Sequence, residues 1–267
     1  VRFPATMVDS ITPATDDALR ATTTAALGLT DAWPVQRERF VQWVVEDALG
    51  CDAAAFVEAG VTLTGDVAAF ERAKLRLLNG AHSTLAYVGL RLGHATVAEA
   101  MADDRLAAFV ERMMRQDIAP TLGPAPGLDA SAYIAEVLAR FRNPAIAHQL
   151  SQIAWDGSQK LPFRILGTVA DAIAAGRPLG RLAVPLAAWM LFVRERARSG
   201  AQIVDPLAGE LARLGQAGSG DAEADAGSFL ALPAVFPRDL AEHPGLRAAI
   251  VAAYAALEAD PTSALRL

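Results

Sequence analysis

The chain has 267 residues, 53% of them hydrophobic but only 6% aromatic, and a net charge of −6. That length holds one large domain or two small ones. The acidic balance, with no long basic run, argues against nucleic acid as a partner. The longest apolar run, residues 182–193, is too short for a bilayer and contains Pro185. A lone Cys51 excludes a disulfide framework and a Cys-based metal site, and fits a reducing, cytoplasmic compartment. No signal-peptide pattern opens the chain.

Ala, Leu and Val dominate the apolar residues, which favours helix. Val1 to Pro13 reads as extended. Thr15 to Leu27 reads as a helix that Thr15 or Asp16 can cap. Pro34 to Leu49 reads as a second helix opened by its proline, with Phe40, Trp43, Val44 and Ala48 as its buried stripe. Asp52 to Glu58 is a short helix. Val61 to Thr64 is the best strand candidate, bounded by Gly60 and Gly65. Asp66 can cap a long helix running to about Leu92, which Gly93 ends. His94, just beyond, has no partner at metal-ligand spacing and reads as structural. Thr96 to Asp117 is helical with a break at Asp103-Asp104-Arg105. Residues 119–128, with three prolines, form a loop.

Asp129 caps a helix to about Arg142, and Pro144 opens another to about Trp155. Asp156 to Pro162 reads as a polar loop. Helices follow at Phe163 to Ala175, Leu182 to Arg198 with Pro185 in its first turn, and Pro206 to Leu214. Gln216 to Gly227 reads as a loop, and Phe229 to Phe236 is ambiguous between helix and strand. Gly245 to Ala259 is the last helix, with a frayed tail after Pro261. The pattern predicts an almost all-α fold of about ten helices in one domain.

The residues that point to chemistry lie in Ala73-Lys74-Leu75-Arg76-Leu77-Leu78-Asn79-Gly80-Ala81-His82. Lys74 is one of two lysines among 24 basic residues, and the other is Lys160. A lysine, unlike an arginine, can shed its proton when desolvated and act as a base. At 3.6 residues per turn, Lys74, Asn79 and His82 share somewhat less than half of a helix circumference. An amine beside an amide and an imidazole suits a C–O(H) group. The lysine moves the hydroxyl proton, and the other two stabilise charge on the oxygen. Gly80 lets a substrate or another backbone come close. Spacing alone leaves plainer readings open: Asn-Gly is also a turn or helix-ending pair, and a lone lysine or histidine is often structural.

Lys74-x-x-x-x-Asn79-x-x-His82 resembles the signature of the polyol-specific long-chain dehydrogenase/reductase family, which includes mannitol 2-dehydrogenases and fructuronate reductases. Further segments match in the same order. They are Phe3-Pro4-x-x-Met7-Val8-Asp9-x-Ile11-Thr12-Pro13, then Phe40-x-Gln42-Trp43-Val44-Val45-Glu46-Asp47, then Asn143-Pro144-Ala145-Ile146 with Asp156-Gly157-Ser158-x-Lys160-x-Pro162.

The resemblance implies a helical domain of the mannitol dehydrogenase C-terminal type, related to that of phosphogluconate dehydrogenase. It implies NAD as cofactor and metal-free hydride transfer at a sugar carbon, with a sugar acid or polyol as substrate. Lys74 becomes the general acid–base, Asn79 and His82 polarise the oxygen, and Asp9 and Lys160 orient the substrate. Gln152 stands where mannitol dehydrogenases carry Arg and fructuronate reductases carry Gln, which tilts the expected substrate to D-fructuronate/D-mannonate. A polyol substrate such as mannitol or arabinitol is the alternative. A substrate carboxylate needs a cation, and Arg142, His148, Lys160 and Arg164 are the candidates. No Gly-x-Gly-x-x-Gly follows a strand. The whole chain, residues 1–267, is therefore expected to be the C-terminal substrate domain alone, lacking its Rossmann partner. On its own it would be a helical module without activity.

Overall fold

The computed structural model describes residues 3–50 and 53–266. Cys51, and the start of the helix expected from Asp52, lie outside them. The fold is mainly helical, as the family resemblance implies, with a three-stranded sheet added at the N-terminal end. Strand β1 (Thr6–Asp9) pairs antiparallel with β2 (Gln42–Glu46), and β2 pairs parallel with β3 (Thr62–Thr64). Between them lie α1 (Asp17–Leu27) and α2 (Ala53–Glu58). Asp16 caps α1 by accepting from the Leu19 amide, and Gly28 closes it in the left-handed conformation at φ 68°.

The helix expected over Pro34 to Leu49 is not formed. Residues after Pro34 run extended and then enter β2, where Val44 and Val45 are buried. Adjacent β-branched residues favour a strand, and the 3.6-residue stripe there was coincidental. Trp43, expected in the core, is 42% exposed. Its indole donates to Thr6 Oγ1 at 2.7 Å across the sheet.

Asp66 caps α3 (Val67–Ala73), which continues through a π-helical turn (Lys74–Asn79) into α4 (Gly80–Arg91). Every residue of α4 from Gly80 to Gly89 is buried, so this rod is the axis of the molecule. Gly93 follows it at φ 87°. Around it lie α5 (Val97–Ala102), α6 (Asp104–Arg112) with a π-turn (Met113–Ile118), and α7 (Ala130–Phe141). Asp129 caps α7, as expected.

Beyond α7 the expectation fails twice. Pro144 opens no long helix. Only α8 (Leu150–Ile153) forms, and Gln149 instead bridges to Thr96. Conversely, Asp156 to Pro162 is not a loop. It is α9 (Gly157–Leu161), which runs through a π-turn (Pro162–Leu166) into α10 (Gly167–Ala174).

The long α11 (Gly180–Arg198) starts earlier than expected, so Pro185 sits in its second turn. It packs on α4, on α12 (Ala208–Ala217) and on α15 (Pro244–Ala259). The expected loop at Gln216 to Gly227 is largely α13 (Ala222–Leu230), capped by Asp221, with α14 (Arg238–Ala241) beyond it. The tail does not fray. Ser263–Arg266 forms a 3₁₀ turn that buries Ala264 and Leu265. No helix among the described residues is long and apolar enough to cross a membrane.

Candidate active site

A cleft of about 260 Å³ opens where the end of β1, the rod and the α8–α9 segment meet. Its lining contains Asp9, Lys74, Asn79, His82, His148, Gln152 and Lys160, all seven residues singled out from sequence, together with Arg164. Of the four candidate cations, Arg142 is exposed and lies outside this lining.

The π-turn explains how the rod presents its polar groups. Positions five apart on an α-helix point about 140° away from each other. In a π-turn the N–H of residue i+5 bonds the carbonyl of residue i, which brings such positions together. The Gly80 amide bonds the Leu75 carbonyl in that pattern. Lys74 and Asn79 therefore face one space. Gly80 also admits a neighbour: a Cβ there would lie 2.9 Å from the Arg164 carbonyl oxygen. The absent side chain lets the π-turn of Arg164 close on that of Lys74.

The Lys74 ammonium donates to the Val8 carbonyl at the end of β1. The Asn79 side chain makes no hydrogen bond among the described residues, so its amide is available to a ligand. His82 is 6% exposed, stacks on Phe141 at 4.4 Å, and meets His148 edge-on at 5.3 Å. His82 Nε2 and His148 Nδ1 are buried with no partner among the described residues. Buried polar atoms are normally paired, so these two are unusual.

Opposite the rod, and among the described residues, the Arg164 guanidinium reaches only Ser83 Oγ, at 3.1 Å, and the Lys160 ammonium has one long bond of 3.4 Å to the Ile153 carbonyl. Burial, and then the Arg164 charge, hold the Lys160 amine below its ordinary range. The cleft's one carboxylate does not balance these cations. Asp9 accepts from Tyr133 Oη at 2.8 Å and from both terminal nitrogens of Arg140, at 2.9 and 2.8 Å. That leaves it little capacity to bind the sugar hydroxyls expected of it.

Burial keeps the His82 imidazole neutral well below its usual range, reinforced by His148, Arg164, Arg140 and Lys160. Burial, then Lys160, acts likewise on His148. The folded protein therefore resists protonation that the unfolded chain accepts. Stability should be fully present above the unfolded histidine value and fall as the pH drops through it. The slope from His82 alone is up to about 1.4 kcal/mol per pH unit below about pH 6.5. Urea midpoints at about pH 7.5 and 5.5, for the wild type and His82→Asn, measure this. An equal drop in both proteins would remove His82 from the account.

Tyr133, Glu38 and Arg140 were not anticipated from sequence. Their partners lie far along the chain, and none belongs to a recognisable local pattern.

Comparison with known proteins identifies the family. Residues 66–258 match the family model for the mannitol dehydrogenase C-terminal domain, and residues 1–54 match that for the mannitol dehydrogenase Rossmann domain. The chain belongs to the mannitol dehydrogenase family. The C-terminal match begins at residue 66, so the expectation that the whole chain is of that type is narrowed.

Mannitol 2-dehydrogenase of Aspergillus fumigatus is 37% identical over 243 residues, 89% of this chain and 48% of that protein. The uncharacterized oxidoreductase YdfI of Escherichia coli is 36% identical over 99% of this chain and 54% of its own length. Among solved structures, the Pseudomonas fluorescens mannitol 2-dehydrogenase ternary complex with NAD and D-mannitol superposes with a TM-score of 0.86 at 35% identity. That match covers 99% of this chain and 54% of the other. The chain thus spans about half the length of the relatives it matches.

Proposed function

We propose that this chain carries the substrate-binding and catalytic part of an NAD-dependent polyol 2-dehydrogenase. The substrate is a polyol such as mannitol, interconverted with its 2-ketose. The observation that carries the reading is the convergence, in one cleft, of the Lys74 amine, the unspent Asn79 amide and the orphaned His82 nitrogen.

In oxidation Lys74 takes the hydroxyl proton, and in reduction it returns it, held at the Val8 carbonyl in the meantime. A neutral imidazole has one N–H to donate, so His82 and Asn79 together can steady an oxygen as negative charge develops. Gln152 and Lys160 engage neighbouring hydroxyls. The nicotinamide, when bound, supplies or receives the hydride. The described residues hold no glycine-rich turn between a strand and a helix, and so offer the dinucleotide's phosphates no cradle. Its seat belongs to the Rossmann part of the whole protein.

A second reading, interconversion of D-fructuronate and D-mannonate, has one observation in its favour. Arg164 and Lys160 line the cleft, beside Gln152, with no carboxylate partner among the described residues. A substrate carboxylate would complete them.

NADH consumption by the full-length protein, with D-fructose and D-fructuronate run side by side, tests both. Turnover of fructose is expected. Turnover of fructuronate alone would replace the polyol reading with the uronate one, and inertness towards both would refute each.

A further inference from the structure

We propose that Arg140 is a positioning residue for Lys74, because its guanidinium locks the wall of the cleft that receives the Lys74 ammonium. The side chain is 7% exposed and every nitrogen is used. Nη1 and Nη2 grip the two oxygens of Asp9. Nε and Nη2 grip Glu38, at 3.0 and 2.7 Å. The guanidinium plane lies 4.1 Å over the Phe40 ring.

Both carboxylates pass this restraint to the backbone of the wall. Asp9 is the residue after Val8, whose carbonyl holds Lys74. Glu38 Oε1 accepts from the Ile11 amide at 2.6 Å, and the Glu38 amide returns a bond to the Ile11 carbonyl at 3.1 Å. Ser10 between them donates to the Phe40 carbonyl at 2.9 Å. One guanidinium at the end of α7 thus fixes residues 8–11 from both ends. The next residue on α7, Phe141, carries the His82 ring.

The arrangement also joins the two family-model matches. Asp9 and Glu38 lie in residues 1–54, whereas Arg140, Tyr133 and Lys74 lie in residues 66–258. No lysine can reproduce it, since a point charge cannot hold two carboxylates through four directed bonds. The role in catalysis rests on Lys74 acting as proposed above, but the placement of Lys74 does not.

The chain's own composition supplies the assay. It holds two lysines, so carbon-13 labelling of the lysine ε-carbons gives two signals, one on each side of the cleft. Lys160→Arg assigns them. In Arg140→Gln, which adds no third lysine signal, the Lys74 signal should shift while the Lys160 signal holds. Glu38→Gln, which keeps the side-chain shape and removes one charge, should move the Lys74 signal alone as well, and stands in should Arg140→Gln not fold. A Lys74 signal unmoved in both variants, or two signals moving together, overturns the proposal.

In the full-length protein, Arg140→Lys should lower kcat by roughly tenfold or more with KM little changed, since small misplacements of a reacting group cost that much. A selective Lys74 shift with no turnover by the wild type would sink the proposed function and leave Arg140's role standing. Equal loss in kcat and KM without the selective shift would mark Arg140 as a structural residue and end the inference.

Discussion

Replacing Lys74 by Met in the full-length protein is expected to cut kcat for ketose reduction by about 10²–10⁴-fold, the usual worth of a positioned proton donor. The fold should survive. Lys74 is only partly buried, and its one hydrogen bond in the structure is to the Val8 carbonyl, at the edge of the cleft. Losing one such bond costs about 1 kcal/mol, and the methionine stem fills the same space. The π-turn is held by its own backbone and by Leu77 and Leu78, both buried, so Asn79 and His82 keep their places. Steady-state rates beside a thermal unfolding curve check both halves of the expectation. A variant with near-wild-type kcat would remove Lys74 from the chemistry and leave the cleft without a proton donor on the rod.

Much of the scaffold around this lysine was readable because helix caps are local. Asp16, Asp66 and Asp129 each accept from a backbone amide two or three residues on, so the signal and the structure lie in one turn. The Lys74, Asn79 and His82 pattern was readable for a related reason, since all three sit on one continuous rod. Errors arose where the deciding contact is distant. Residues after Pro34 stay extended because Glu38 must reach Ile11 and Arg140, 27 and 102 positions away. No window of sequence contains those partners. Residues 143–149 likewise form a turn that ends in a bridge instead of a helix, because the His148 carbonyl accepts from Val97 and Gln149 bridges to Thr96. The π-turns were invisible for a different reason. They share the composition of α-helix and differ only in which carbonyl each amide selects. Asp9 lies in the cleft lining, yet its engagement by Arg140 and Tyr133 appears only in three dimensions.

Gly157→Ala should be among the most damaging single changes in the molecule, although it adds one methyl group to a helix. Gly157 is the first residue of α9 and is buried. A Cβ there would overlap the Trp189 indole nitrogen, lie 2.6 Å from Tyr87 Oη and 2.8 Å from Trp189 Cδ1. Neither ring can give way. Trp189 is 1% exposed and wedged against Phe229 and Phe236, and Tyr87 is 2% exposed with its hydroxyl bonded to the Ala154 carbonyl. Overpacking usually costs about 1–3 kcal/mol, and two rigid rings place this site at the upper end. A loss of about 3 kcal/mol corresponds to a fall in Tm of roughly 6–12 °C for a chain of this size.

The helix, being the lighter partner, should yield. Asp205 anchors its first turn through the Ser158 amide at 2.9 Å and hydroxyl at 2.5 Å, so displacement strains that cap too. Lys160, one turn along α9, would then leave its place while Lys74, on a separate rod, keeps its own. The full-length variant should therefore show a raised KM with a smaller change in kcat. Gly180→Ala is the control, because a Cβ at Gly180 meets nothing within 4 Å and the helix gains a better former. Thermal unfolding and steady-state kinetics on both variants decide the matter. Equal Tm values would mean that the packing around Trp189 and Tyr87 is soft. A lowered Tm with unchanged KM would show that α9 can shift without carrying Lys160 away from the substrate.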